Sequence, residues 1–125
     1  MFALSFGQGS FNRPSTEQTI IMVIDPKKDY SSMDGFITKS FEFMNTDGEF
    51  YDDWDELYKG KTYTLASDSD IENMKNSINA MNQKVSILHE TIIKAVQVVP
   101  SKWNEVVLGI ETKTEYILYI WSTSA

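Results

Sequence analysis

Residues 116–121 read Tyr-Ile-Leu-Tyr-Ile-Trp, six consecutive apolar side chains with no polar residue between them. A strand with one solvated face alternates apolar and polar residues, so an unbroken apolar run predicts a strand covered on both faces. A second apolar run at 103–111 is separated from 115–122 by Thr112-Lys113-Thr114, which predicts an antiparallel hairpin. The last quarter of the chain therefore predicts two paired strands in a well-covered sheet.

Four other stretches carry strand patterns. Residues 2–6 alternate large apolar side chains with Ala3 and Ser5, and residues 19–24 form a continuous run rich in β-branched side chains. Residues 36–44 place apolar side chains at 37, 41 and 43 and polar ones at 38, 40 and 42, as a half-buried strand does. With residues 62–65, these patterns predict an antiparallel sheet of about five to six strands.

The strongest helical pattern runs from Ile71 to Val99, where apolar residues recur in alternating steps of three and four. Ser69 followed by Glu72 has the spacing of a capping box, and Pro100 marks an end. We therefore predict one long helix, about 70–98, packed across the sheet, and helical spacing predicts a short helix near 51–58. The order of elements predicts an α+β fold, and 125 residues predict a single domain, 1–125.

Composition excludes several classes of protein. The hydrophobic content of 42% is enough for a folded core, and the absence of cysteine removes disulfides and cysteine-ligated zinc. A pI near 4.6 argues against direct nucleic-acid binding and against attraction to anionic membranes, because both need clustered Lys and Arg. The sequence has no apolar run of membrane-spanning length and no signal-peptide pattern at its start. We expect a cytoplasmic protein without a cofactor.

Residues 40–58, called here the acidic segment, read SFEFMNTDGEFYDDWDELY and carry the whole net charge of −7. The segment has seven acidic residues, six aromatic residues and no basic residue, whereas the rest of the chain has eleven acidic and eleven basic residues. Charge of one sign attracts an oppositely charged protein, and large rings beside it supply affinity once they lose water. The alternative is a solvated turn and short helix with Phe41, Phe43, Trp54 and Leu57 pointing inward.

We therefore predict a non-enzymatic protein-binding module that docks on a basic surface or active site of another protein. Inhibitors, antagonists, toxin-immunity proteins and antitoxin-like proteins belong to this class. The expected partner is a basic protein, such as a nuclease, another toxin or a nucleic-acid-binding enzyme. The acids steer the encounter and the rings are anchors where they are exposed. The predicted partner-binding residues are Asp47, Glu49, Phe50, Tyr51, Asp52, Asp53, Trp54, Asp55 and Glu56.

The helical pattern supports a second interpretation, a homo-oligomeric assembly protein. Written as heptads, residues 71–99 place β-branched residues at all five a positions and Met, Leu or Ala at d, as parallel two-stranded coiled coils do. The flanking e and g positions lack opposed charges, which favours packing against the chain's own sheet instead. The residues that would join a homodimer are Ile78, Met81, Val85 and Leu88.

A third interpretation is an enzyme that uses the carboxylates of residues 47–56, either with a metal ion or as an acid and base pair. Aligning Gly48 with the invariant glycine of an EF-hand loop puts Phe43 and Trp54 where acidic ligands are required, so no EF-hand is predicted. His89 is the only histidine, and its sequence neighbours offer no nucleophile. We therefore predict no catalytic residue and no metal-ligating residue.

Overall fold

The computed structural model describes residues 2–7, 18–46, 54, 58–79 and 92–123. The strands are β1 (Phe2–Phe6), β2 (Gln18–Pro26), β3 (Thr64–Leu65), β4 (Ile92–Gln97), β5 (Glu105–Thr112) and β6 (Glu115–Thr123). The helices are α1 (Met33–Thr46) and α2 (Asp68–Asn79), and a short 3-10 helix, Lys27–Asp29, follows β2. These strands and helices confirm the predicted α+β class.

In the described residues, six strands form one antiparallel sheet in the order β1-β2-β6-β5-β4-β3. Strand β6 contains the apolar run and lies between β2 and β5, and all of its residues from Tyr116 to Ile120 are buried. The prediction that both faces of this run are covered is confirmed. The predicted hairpin is β5 and β6, and the strands predicted at 2–6, 19–24 and 62–65 correspond to β1, β2 and β3.

The turn between β5 and β6 uses a threonine hydroxyl to satisfy backbone groups. Thr112 is only 1% exposed. Its Oγ1 accepts a hydrogen bond from the Glu115 backbone N–H at 3.0 Å and donates one to the Glu115 carbonyl oxygen at 3.3 Å. A side chain that bonds to the backbone in this way stabilises a turn. The hairpin therefore forms without the Asn-Gly or Asp-Gly pair that tight hairpins favour.

The strand predicted at 36–44 is wrong, because these residues lie inside helix α1. The buried side chains of α1 are Phe36, Ile37, Ser40, Phe41 and Met44. Their spacing repeats every three to four residues, which puts them on one face of a helix. Ser40 fits this buried face because its hydroxyl donates to the Phe36 carbonyl oxygen, 2.8 Å away and one turn earlier. Treating Ser40 as an outward-facing polar residue produced the false alternation.

The long helix predicted at about 70–98 begins where expected, within two residues, but its last part is wrong. Helix α2 begins at Asp68, residues 68–79 are described as helical, and residues 92–97 form strand β4. Residues 80–91 lie outside the described residues. The sequence IIKAVQ of β4 is rich in β-branched residues, which favour strands, and β5 and β3 pair with it on either side. Pro100 lies in the loop after β4 and ends no helix.

The N-terminus of α2 is capped by Ser67 and not by the predicted Ser69. The Ser67 Oγ accepts a hydrogen bond from the Asp70 backbone N–H at 3.0 Å, and the Ser67 carbonyl oxygen accepts one from the Ile71 N–H at 3.1 Å. Asp70 sits three residues after the cap, where a carboxylate interacts favourably with the helix dipole. The hydrogen bonds therefore place the cap two residues before the predicted one.

Replacing Ser67 with alanine should therefore lower the free energy of unfolding by about 1 kcal/mol, because the Asp70 N–H loses its acceptor. Ser69→Ala is the matched control, since Ser69 is exposed inside the helix and alanine favours helices. Urea denaturation of both variants measures the difference. A larger loss for Ser69→Ala than for Ser67→Ala would show that the helix begins at the later serine.

Helices cover both faces of the sheet, and the side chains of β1, β2, β5 and β6 alternate between two apolar clusters. The prediction of one helix across the sheet therefore gives way to two helices on opposite faces. On the α1 face the buried cluster includes Val23, Phe36, Ile37, Phe41, Met44, Val107, Leu118 and Ile120. On the α2 face it includes Ile20, Met22, Ile24, Met74, Ile78, Leu108, Ile110, Ile117 and Tyr119. In the described part of the chain, no helix is long and apolar enough to cross a membrane.

Candidate functional site

The described parts of the acidic segment are residues 40–46, Trp54 and Tyr58. Residues 40–46 are the C-terminal half of α1, and Glu42 is exposed there and pairs with Lys39 at 3.3 Å. An exposed ion pair of this kind contributes little to stability. The other predicted partner-binding residues lie outside the described residues: Asp47, Glu49, Phe50, Tyr51, Asp52, Asp53, Asp55 and Glu56.

Trp54 is a buried residue in this structure. Its side chain is 8% exposed and stacks on Tyr58 with ring centroids 6.0 Å apart, and Tyr58 stacks in turn on Phe41 at 5.6 Å. The Tyr58 backbone N–H donates to the Trp54 carbonyl oxygen at 3.1 Å, as in a helical turn, in the region of the predicted short helix. Trp54 thus packs inside the protein, and its ring is not exposed to a partner.

Contacts from α1 hold the chain on both sides of residues 47–53. The Trp54 backbone N–H donates to the Asn45 side-chain oxygen at 2.9 Å, so the last turn of α1 and Trp54 are directly joined. The Lys61 ammonium lies 5.2 Å from the centre of the Phe41 ring, a cation–π contact on the same aromatic group. We call Phe41, Trp54 and Tyr58 the aromatic anchor, since they fix described residues at both ends of the acidic segment.

A second feature is a groove of about 530 Å³ between α2 and the loop that joins β4 to β5, called here the α2 groove. Asp70, Asn73, Asn76 and Ser77 line it from α2. Ser101, Lys102 and Trp103 line it from the loop, and Val106, Tyr119 and Trp121 line it from the sheet. Its volume lies within the range typical of small-molecule sites, roughly 300–1,000 Å³.

Hydrogen bonds hold the walls of the α2 groove in place. The Asp70 Oδ2 accepts from the Gln97 side-chain amide at 2.6 Å and from the Ser101 hydroxyl at 3.3 Å, which ties α2 to β4 and the loop. On the sheet, the Trp121 indole N–H donates to the Gln18 side-chain oxygen at 2.8 Å and so orients the ring. The groove is therefore largely preformed.

Tyr119 lines the groove but offers no general base there. Burial raises the pKa of the Tyr119 hydroxyl well above its usual range, and a hydrogen bond with Ser77 has a smaller, opposite effect. The phenol therefore stays protonated at neutral pH and serves as a hydrogen-bonding group.

Two tyrosine–carboxylate pairs lie outside the groove, one local and one between distant segments. Tyr30 donates to Asp25, and Tyr63, whose φ of 50° is left-handed, donates to Asp34 on α1. In both tyrosines burial, followed by the carboxylate hydrogen bond, raises the pKa above its usual value. These phenols remain neutral donors, so we assign them a structural role.

We identify no candidate catalytic or metal-ligating residue among the described residues. In the described ranges, no group of three or more His, Cys, Asp or Glu side chains could hold a metal ion. His89 lies outside these ranges. Three of the four residues predicted to join a homodimer, Met81, Val85 and Leu88, also lie outside them. Ile78 is 4% exposed and packs in the cluster on the α2 face, so the sheet already covers it. Self-association through the other three residues stays a prediction.

The α2 groove is not predicted from the sequence, because its residues come from separate elements. Trp103 was assigned to a strand, whereas β5 begins at Glu105 and Trp103 lies in a turn with 75% of its surface exposed. An isolated tryptophan among Pro, Ser, Lys and Asn was the only hint of this site in the sequence.

The fold and these sites define an α+β protein whose antiparallel sheet is covered on both faces by helices. The chain matches no family model, no curated protein and no solved structure.

Proposed function

We propose that this protein is a non-enzymatic, cytoplasmic protein-binding module, an inhibitor or immunity-type antagonist whose acidic segment docks on a basic protein. The partner's basic surface would be an active site or a nucleic-acid-binding groove, such as that of a nuclease or another toxin. The proposal starts from charge, because seven acidic residues and no basic residue fall within residues 40–58 of an otherwise neutral chain.

The observation that carries the proposal is the aromatic anchor. The Asn45–Trp54 hydrogen bond of 2.9 Å and the stacked rings of Phe41, Tyr58 and Trp54 fix described residues on either side of residues 47–53. Fixing the ends of a binding segment before association lowers the conformational entropy that the complex must lose. The buried rings of Phe41 and Trp54 also fit the alternative of a solvated turn with inward rings, and the charge reversal described below distinguishes the two.

The anchor also changes which residues are expected to contact the partner. Because Trp54 is buried, the affinity must come from the carboxylates and from Phe50 and Tyr51. Charge then affects mainly the rate of association and its dependence on salt, and the rings affect the rate of dissociation. This division gives the proposal a kinetic signature.

Reversing two charges, Asp52→Lys with Asp53→Lys, should lower the association rate by about tenfold or more and flatten its dependence on salt. The partner is first captured from source-cell lysate, then purified, and association is followed by stopped-flow fluorescence at several salt concentrations.

The matched control is Asp29→Lys with Glu72→Lys, two exposed acidic residues outside the acidic segment. Both pairs change the net charge by the same amount, so a difference between them reports the position of the charges. Equal rates for the two double variants would place the docking surface elsewhere. An unchanged salt dependence in the first variant would remove the electrostatic role of the segment.

A further inference from the structure

Trp103 has an exposed ring and lies in a turn whose backbone is fixed by hydrogen bonds. Lys102 and Glu105 exchange two backbone hydrogen bonds, of 2.8 and 3.3 Å, so that Trp103 and Asn104 occupy the tip of a tight turn. The Asn104 carbonyl oxygen also accepts from the Thr123 N–H at 3.0 Å, which attaches this turn to the end of β6. Exposing 75% of a tryptophan forgoes burial that would stabilise the fold. The backbone of Trp103 is thus fixed beside the groove, where its large exposed ring is available to a ligand.

The polar side of the α2 groove is made of uncharged donors and acceptors. Asn73 and Asn76 lie one turn apart on α2, and Ser77 and Ser101 add hydroxyl groups to the lining. Each carboxamide offers two donor hydrogens and an acceptor oxygen. A hydroxyl group also donates and accepts, so neighbouring ligand hydroxyls match such carboxamides better than a ligand that only accepts or only donates.

The charge of the groove restricts its ligand further. Among the described residues that line it, the charged side chains are one carboxylate, Asp70, and one ammonium, Lys102. A phosphorylated ligand needs several cationic groups, and it would meet the Asp70 carboxylate in the first turn of α2. A cationic ligand would meet Lys102. A neutral ligand meets no net charge and has hydroxyl partners on the wall opposite Trp103.

We propose that the α2 groove binds a neutral saccharide unit, whose ring stacks on Trp103 and whose hydroxyl groups hydrogen-bond to Asn73 and Asn76. The C–H groups on one face of a pyranose ring complement the electron-rich face of an indole. The Asp70 carboxylate accepts hydrogen bonds from Gln97 and Ser101, which ties α2 to β4 and to the loop that carries Trp103. This site is separate from the acidic segment and does not depend on the function proposed for it.

The test is saturation-transfer NMR of the full chain with four neutral saccharides: methyl glucoside, N-acetylglucosamine, cellobiose and chitobiose. Adenosine is included as a neutral ligand that also stacks and carries hydroxyl groups. We expect transfer to at least one saccharide, and a tryptophan fluorescence titration then gives its affinity. Transfer to adenosine alone, or to none of the five compounds, overturns the proposal.

Trp103→Ala should weaken saccharide binding about tenfold, and Asn76→Ala should weaken it by a similar factor. Both residues are exposed, so neither substitution removes a core side chain. Leu65→Ala is the control, because Leu65 is 74% exposed on β3 and does not line the groove. Wild-type affinity in Trp103→Ala, or equal loss in Leu65→Ala, would show that the saccharide binds elsewhere.

Discussion

Replacing Phe41 with alanine should lower the free energy of unfolding by about 3–5 kcal/mol, the usual cost of truncating a fully buried phenylalanine. Phe41 is 0% exposed, its ring stacks on Tyr58 with centroids 5.6 Å apart, and the Lys61 ammonium lies 5.2 Å from its centre. Alanine removes the buried ring, leaves a cavity beneath Tyr58 and abolishes the cation–π contact. Urea denaturation monitored by circular dichroism measures the change.

Two variants separate the causes of this loss. Phe41→Leu keeps most of the buried volume but removes the aromatic contacts, so its cost should be smaller, about 1–2 kcal/mol. Phe43→Ala lies on the same helix but truncates a partly buried ring, and it should also cost less than Phe41→Ala. If Phe41→Ala and Phe43→Ala have equal effects, then the contact between Phe41 and Tyr58 does not contribute specially to stability.

The Phe41 variants also connect stability with the proposed function. Loss of the ring beneath Tyr58 loosens the stack that holds Trp54, so the acidic segment loses part of its attachment to α1. Phe36→Ala is the matched comparison, because Phe36 is equally buried on α1 but packs against Tyr30 and Tyr116. Partner affinity should fall more in Phe41→Ala than in Phe36→Ala under conditions where both variants are folded.

The sheet could be predicted from sequence where apolar runs were long and unbroken. Residues 116–121 have no polar phase, and only a strand covered on both faces accommodates them, as β6 shows. The antiparallel hairpin followed from the short connection after Thr112, even though the hydroxyl that stabilises the turn was not foreseen. Local sequence thus predicted the β5–β6 hairpin, but it did not predict β4, although β4 also pairs with a near neighbour in the chain.

The helices were misassigned where two periodicities compete over a short stretch. In residues 36–44 the polar Ser40 lies on the buried face, and its hydroxyl bonds to the preceding turn, which no hydrophobic pattern reveals. In residues 92–97 the steps of three and four continue from α2, but pairing with β5 and β3 makes a strand. Tertiary pairing overrode the helical pattern there, as it does for β-branched residues in general.

The candidate sites could be predicted only in part. The acidic segment was visible because its charges are contiguous in sequence, but the burial of Trp54 depends on Tyr58 and Asn45, which tertiary structure brings together. The α2 groove was not visible, because the polar face of α2 looks like an ordinary solvated helix face. Trp103 lies beside the polar face of α2 only because of the turn in the loop between β4 and β5.

Gly109→Val should lower the free energy of unfolding by about 2–3 kcal/mol through overpacking. Gly109 lies in the middle of β5, where α1 crosses the sheet closely. A Cβ atom there would lie 3.0 Å from the Met33 sulfur, 3.3 Å from a Val96 methyl carbon and 3.5 Å from a terminal carbon of Ile37. The φ of Gly109 is not positive, so the constraint is the space between helix and sheet and not backbone conformation.

Two further variants test whether the limited space beneath α1, and not a general intolerance of substitution, explains the loss in Gly109→Val. Gly109→Ala should cost less than about 1 kcal/mol, because the flexible Met33 thioether can move and alanine favours a strand more than glycine does. Valine adds two methyl groups that must also displace Val96 or Ile37, which are branched and less mobile. In a double-mutant cycle, Met33→Ala should recover at least about 1 kcal/mol of the Gly109→Val loss, because residues in contact couple. Additive effects, or equal losses for alanine and valine, would show that the close approach of α1 does not determine the glycine.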